Sequence, residues 1–486
     1  MSNRHIQKLE KKYASKIQTN LELNRSLVSF QSNKILPFYR WFKYKEGFSR
    51  PLVDYVIGKL TAKPGILLDP FSGAGSALLA ARSSGWKTVG IELLPVGIYA
   101  LRARLAAERV DAETFRDAVR TIKGECIATE ALADPAFEHV AITRGAFPEE
   151  TERQLHSYLK FARTRFADEH LRILLEFAAF SVLEAISYTR KDGQYLRWDR
   201  RSGRSNGANG FDKGPIRSFG DAIQKQLAMM SQDLCSSPTD LFEEKPDSIE
   251  SRGPDVELHE GSCLTILRDL KTSSCDFILT SPPYCNRYDY TRTYALELVF
   301  LGAGDERIRE LRQSMLSCTV ENREKIEQLT DFYRRRRALP ILQASISAFE
   351  QQAALQEVLG ILEEERQNRR LNNPGIVRMV RNYFLEMSLV IHECARIMKP
   401  GGCLVMVNDN VSYNGQAVPV DLILSEFARI AGLDVEVIWK LSKGKGNSSQ
   451  QMGRHGRQEL RKCVYVWRKP TGQSTSRLAQ KPASPR

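Results

Sequence analysis

The chain has 486 residues, 42% of them hydrophobic and 27% charged, with a formal net charge of +13 at pH 7. That is long enough for a large core or for a domain with big insertions. It holds no run of 18 apolar residues, which argues against a helical membrane span. The N-terminal MSNRHIQKLEKKYASK lacks the apolar segment of a secretory signal, so a cytoplasmic location is expected. Nine cysteines lie scattered, with no CxxC pair and no Cys/His cluster at zinc spacing; they read as reduced thiols and no metal is expected.

In chain order, residues 1–34 form an N-terminal arm whose first 25 residues read as a charged helix. Residues 35–109 open the core. GILLDP predicts a buried strand ending at Asp69 and Pro70, followed by a glycine turn and the helical run GSALLAARSSG. KTVGIEL predicts a second strand ending near Glu92, with a helix over residues 96–109. Residues 110–255 are a first insertion, helical in its first part and then basic and glycine-rich. VELHEG and CDFILTSPPY return to strands within residues 256–302. Residues 303–373 form a second insertion, helical and strongly charged. Residues 374–469 complete the core with two helix-to-strand units and a last strand, RKCVYVWRK. The tail, residues 470–486, has the composition of disorder. Strands alternating with helices predict an α/β fold with a parallel sheet.

The positive charge is clustered. Residues 190–217 carry eight basic residues against three acidic ones, interleaved with aromatics and glycines. Arg197, Trp198, Arg200, Arg201 and Arg204 there are candidates for nucleic-acid contact, since arginine and aromatic side chains on loops suit phosphates and bases. A second basic stretch offers Lys443, Lys445, Arg454 and Arg457. YRRRR, residues 333–337, reads equally as a solvated helix face.

Two sites of chemistry stand at predicted strand ends. LLDPFSGAGSALLAA puts Gly73 and Gly75 where a strand turns into a helix, the place where a ligand can lie against backbone. Glu92, seventeen residues beyond Gly75, can accept ribose hydroxyls. Leu78 stands where a third dinucleotide-binding glycine would be, and no P-loop pattern occurs. The second site is FILTSPPYCNRYDYT. Its prolines remove two backbone donors and stop the strand. Ser281 then offers a hydroxyl, Pro282 a carbonyl with no N–H, and Tyr284 a stacking face. Two acceptors beside a flat ring suit an amino group on an aromatic base, whose lone pair must be freed from the ring before it can attack an electrophile.

DPFSGAGS followed by TSPPY resembles the DNA amino-methyltransferases, which methylate N4 of cytosine or N6 of adenine with S-adenosylmethionine. The resemblance covers the sheet-forming half of the chain. It implies the seven-stranded, mostly parallel, Rossmann-like methyltransferase fold, here with two large helical insertions. It implies that Phe71, Ser72, Gly73 and Gly75 line the cofactor loop, that Asp69 faces the methionine part and that Glu92 takes the ribose. ILPFYRWFKYKEGFSRPLVDYVI resembles the segment that closes over the methionine part, with Lys43, Tyr44 and Phe48 as contacts. HEGSC resembles the adenine-contacting motif, although Ser262 stands where an acidic residue is frequent. Ser281, Pro282, Pro283 and Tyr284 would hold a base flipped out of duplex DNA.

Serine before Pro-Pro-Tyr favours N4 of cytosine, and the absence of any Pro-Cys dipeptide argues against C5 chemistry. Cys285 is expected to pack in the wall. A site-specific DNA methyltransferase of a restriction–modification or related defence system is the resulting expectation, with a cognate nuclease or defence proteins as partners. An adenine-N6 enzyme, an RNA amino-methyltransferase, a protein glutamine methyltransferase and a non-catalytic DNA-binding module are the alternatives.

Overall fold

The computed structural model describes residues 3–61, 63–125, 137–192, 195–204, 210–236, 254–442 and 460–471. Its strands are β1 (Ile17–Asn20), β2 (Ile66–Asp69), β3 (Lys87–Glu92), β4 (Thr189–Asp192), β5 (Tyr195–Trp198) and β6 (Val256–Glu260). They continue with β7 (Cys275–Thr280), β8 (Met398–Asp409), β9 (Val411–Tyr413), β10 (Gln416–Val418), β11 (Asp434–Leu441) and β12 (Lys462–Arg468). Eight of them form one sheet in the order β1-β11-β12-β8-β7-β2-β3-β6. Every pairing in it is parallel except the two made by β12. β9–β10 and β4–β5 are separate antiparallel hairpins.

The sheet has one strand more than the seven expected. The extra one comes from the arm read as helix: the helix Arg4–Tyr13 ends early, and IQTN pairs in parallel with residues 438–441. Nothing in four residues of mixed polarity signals a strand; the open edge of β11 supplies the partner. The arm is held by Tyr13 and Lys12, which donate to Glu426 at 2.8 Å and 2.6 Å.

Apolar runs at every buried strand supply the core. On one face the long helix Ile376–Ile397 lies over Ile278, Leu404, Met406 and Ile438. The helices Leu339–Gln351 and Ala353–Gln367, from the second insertion, pack against that long helix and so extend the sheet's own layer. On the other face, Arg50–Leu60 and Ser76–Ser83 cover Leu67, Phe277, Val405 and Val464. The first insertion builds its own core from Glu149–Arg165, Glu169–Ile186 and Phe219–Cys235, joined to the helices Pro95–Ala106 and Ala295–Phe300. Among the described residues no helix is long and apolar enough to cross a membrane.

The parallel strands β2, β3, β7 and β8 all end on one edge, where ligands collect in such sheets. Their last residues are Asp69, Glu92, Thr280 and Asp409. Phe384, fully buried on the long helix with its ring edge-on to Phe427, tests the layer. Phe384→Ala is expected to lower stability by about 3–5 kcal/mol in chemical denaturation; a loss below about 1 kcal/mol would contradict this packing.

Candidate active site

Gly73 and Gly75 have φ of +52° and +78°. A Cβ on Gly73 would stand 2.9 Å from Cε1 of Tyr44, and one on Gly75 would stand 2.6 Å from Cδ1 of Leu101. Both positions therefore need glycine for conformation and for space. The loop is fastened by Glu92. Its Oε2 accepts from the Gly73 amide at 2.7 Å, and its Oε1 accepts from the Leu93 and Leu94 amides at 3.0 Å and 2.7 Å. Burial raises the Glu92 pKa, and these three amides oppose the shift.

A cavity opens over this loop. Asp69, Phe71, Ser72, Gly73 and Glu92 form its floor; Lys43, Tyr44 and Phe48 lie across it, and Ser262 closes one end. Gly75 packs behind the floor against Leu101. Ser262 donates to the carbonyl of Ser314 at 2.9 Å, which brings Met315 and Leu316 of the second insertion into the wall. Tyr44 stacks on Tyr294 at 5.2 Å between ring centroids.

Ser281 and Pro283 line the same cavity, and Pro282 is buried beside them. The Ser281 hydroxyl donates to the Val407 carbonyl at 3.1 Å and lies 3.3 Å from the Tyr284 hydroxyl. Tyr284 is partly buried, with the Lys462 ammonium 5.5 Å from its ring centre; Lys462 is paired to Asp409 at 3.1 Å. Cys285 is fully buried, and burial pushes its thiol pKa up, so it is wall packing. The two sequence motifs are joined directly: the Thr280 hydroxyl donates to Oδ1 of Asp69 at 2.7 Å, and the Phe71 amide donates to the same oxygen at 3.0 Å. Burial pushes Asp69 up to about 7.

Where an open loop was expected, the described part of the first basic stretch pairs β4 with β5 and runs on into the short 3-10 turn Arg200–Ser202. Arg201 is taken up inside it, donating to both oxygens of Asp199 at 2.7 Å and 2.9 Å and to the Gly214 carbonyl. Arg204 lies 4.5 Å from the Trp198 ring and donates to the Ala141 carbonyl. Arg197 lies 4.1 Å from the Phe211 ring; it and Arg200 make longer ion pairs, at 3.6 Å and 3.4 Å, and stay exposed. Lys443, Lys445, Arg454 and Arg457 lie outside the described residues. The hairpin is anchored by Lys191, whose ammonium is 2.5 Å from Glu297 and 4.6 Å from the Tyr294 ring.

Several wall residues carry no signal in the sequence. Glu46 accepts from the hydroxyls of Tyr288 and Tyr294, tying the segment over the cavity to the chain after Pro-Pro-Tyr. Tyr290, Asn33 and Arg104 also line the cavity. Glu46 and Asn33, on the aromatic segment or next to it, and Tyr290, within the Ser-Pro-Pro-Tyr stretch, stood where sequence reasoning was looking; Arg104 did not. Among the described residues no group of three or more His, Cys, Asp or Glu could hold a metal.

No protein-family model matches the chain. It is 45% identical over 468 residues to the Type II methyltransferase M.AvaI of Nostoc sp., covering 95% of this chain and 92% of the relative. The protein of the same name from Anabaena variabilis matches to the same extent. Type II methyltransferase M.BsoBI of Geobacillus stearothermophilus is 38% identical over 475 residues, with the same coverage.

Asp69 gives a pH test of this geometry. Its pKa rises from the ordinary carboxylate value of 3.8 to about 7 on folding, so the folded protein holds the proton that the unfolded chain releases. Its contribution to stability is therefore present below about pH 4 and lost as pH rises through about 7. Asp69→Asn keeps the acceptor oxygen and removes the charge. In denaturation series from pH 5 to 8 the variant should gain on the wild type as pH rises; a pH-independent difference would contradict the burial of this carboxylate.

Proposed function

The chain belongs to the type II DNA methyltransferases, and on that premise we propose that it transfers a methyl group to N4 of a cytosine flipped out of duplex DNA. Site-specific DNA methylation within restriction–modification goes with the membership, as does S-adenosylmethionine as methyl donor. A cognate nuclease reading the same sequence is the partner this role implies.

The observation that carries the reading is the Ser281 hydroxyl. Its proton is directed to the Val407 carbonyl, so its lone pairs remain to accept an N–H of the target amine. The Pro282 carbonyl would take the other N–H, and Tyr284 would stack on the base, worth roughly 1–3 kcal/mol. Two acceptors out of the ring plane draw the nitrogen toward tetrahedral geometry and turn its lone pair toward the donor. The donor supplies a methyl group activated on a positively charged sulfur. As the bond forms, positive charge grows on the nitrogen, and the same two oxygens stabilise it. The sulfur–methyl bond breaks with its electron pair staying on sulfur, so the donor would leave as a neutral thioether, and the nitrogen would pass its proton to water. No covalent enzyme intermediate is needed, which agrees with the inert Cys285. Serine at position 281, in place of Asp or Asn, is what favours cytosine over adenine.

The cavity fits the donor in charge and shape. Asp69 and Tyr44 would face the methionine part, and Ser262 the adenine. Glu92 would take a ribose hydroxyl: three of its four acceptor positions already hold amides, so one remains. That is one bond fewer than the two ribose hydroxyls would call for, and it makes Glu92 both a loop fastener and a ligand. The basic hairpin, with Arg197 and Arg200 exposed, would meet the phosphates beside the base pocket.

The test is to incubate the protein with S-adenosylmethionine and unmodified DNA or RNA, digest to nucleosides and identify the product by mass spectrometry. N4-methylcytosine in DNA is expected; N6-methyladenine would overturn the base assignment, and methyl groups only in RNA would overturn the substrate. Ser281→Ala and Tyr284→Ala should slow transfer roughly 100-fold while leaving donor affinity little changed. Glu92→Ala should weaken the donor itself. Equal loss of donor affinity in all three would refute this division of roles.

A further inference from the structure

One cation in the cavity wall has no anion to answer it among the described residues. Arg104, on the helix Pro95–Ala106, is only 5% exposed yet lines the cavity. Its Nε donates to the Phe38 carbonyl at 3.2 Å, Nη2 to the Tyr39 carbonyl at 3.3 Å and Nη1 to the Ala74 carbonyl. All three acceptors are neutral, and among the described residues the ionisable group acting on it is Tyr39. Burial pulls its pKa down to about 10, so at neutral pH the guanidinium is still charged. Elsewhere in the fold, buried or half-buried cations face carboxylates: Lys191 faces Glu297, Lys325 faces Glu386, Lys462 faces Asp409 and Arg461 faces Asp421. A desolvated cation without a counter-charge is costly, and a protein that keeps one has a use for it.

Three carbonyl bonds leave two of the five guanidinium N–H groups unused. The carbonyls themselves belong to the two segments that enclose the methionine end: residues 38–39 enter the overlying segment, and Ala74 sits in the glycine loop. Of the other basic side chains lining the cavity, Lys34 and Lys43 are exposed, so water already solvates them, and Arg40 is paired with Asp233. We infer that Arg104 receives the α-carboxylate of the donor's methionine part, through the N–H groups its backbone partners leave unused. Asp69, across the same floor, would then answer the ammonium, and the zwitterion would be held between opposite charges. This inference rests on the reading of the cavity as the S-adenosylmethionine site.

The rival role is a staple that joins the two backbone segments and touches no ligand. Titration of the full-length protein with S-adenosylmethionine and with decarboxylated S-adenosylmethionine separates the two. The second ligand keeps the adenosine, the sulfonium and the amine, and lacks only the carboxylate. The wild type should prefer the intact ligand by about tenfold or more. Arg104→Met should lose most of that preference while binding the decarboxylated ligand about as well as the wild type does. Arg104→Lys, which keeps the charge and loses the fork, should retain part of the preference, and it serves if the methionine variant does not fold. Equal weakening of both ligands in the variants, or no preference in the wild type, would overturn the inference. Failure of the wild type to bind either ligand would instead overturn the cofactor reading beneath it.

Discussion

The bond from the Thr280 hydroxyl to Asp69 is the joint on which the site depends. It links residues 211 positions apart, both almost fully buried, at the ends of neighbouring strands β7 and β2. A buried carboxylate tolerates that position only with hydrogen bonds to hold it, and Thr280 and the Phe71 amide provide them. The consequence is geometric. The residue that begins the glycine loop and the residue before Ser281 cannot drift apart, so the floor of the cavity and the Ser-Pro-Pro-Tyr turn move as one body. A methyl transfer made of positioning needs that, since small errors of alignment between donor and acceptor cost rate steeply.

Charge is sorted around this joint. Glu46, Asp69 and Glu92 are buried carboxylates in the cavity wall, each with its pKa raised by burial. The chain as a whole is strongly positive, and the exposed arginines of the β4–β5 hairpin lie outside the cavity. Buried carboxylates in the floor suit the cationic groups of a small molecule, while a basic exterior attracts a polyanion. The two ligands of a DNA methyltransferase carry opposite charge, and the protein separates their sites by burial. Among the basic side chains of the wall, Arg104 is the buried one without a carboxylate partner among the described residues, where the proposed ligand would carry its one negative group.

Much of this was legible in the chain. The glycine pair, Glu92 and Ser-Pro-Pro-Tyr each follow an apolar run that can only be a buried strand, and parallel topology brings such ends to one edge. What was not legible depends on contacts that spacing does not encode. IQTN becomes a strand only because β11 offers an edge. Met315 reaches the cavity only because Ser314 is bonded to Ser262. Arg201 reads as a phosphate contact in the sequence, and the acid two residues earlier, Asp199, takes it out of use. Arg104 sits in an unremarkable helical run, and its role emerges only from the absence of a carboxylate around it.

The two insertions contribute in different physical ways. The second leans its last two helices on the sheet's own layer and closes one end of the cavity through Ser262 and Ser314. The first has a separate core, yet its hairpin is not free to swing. Lys191 at the hairpin base pairs with Glu297 and lies on Tyr294 and Phe42, and its carbonyl accepts from Lys45 at 2.5 Å. Glu46 then binds Tyr288 and Tyr294 from the segment over the cavity. Basic hairpin, cavity cover and the chain after Tyr284 thus share one buried polar cluster. A phosphate contact at Arg197 or Arg200, as proposed above, would therefore be transmitted to the Ser-Pro-Pro-Tyr turn as a fixed offset, which is what a reader of DNA sequence requires if the same base is to be presented for reaction each time.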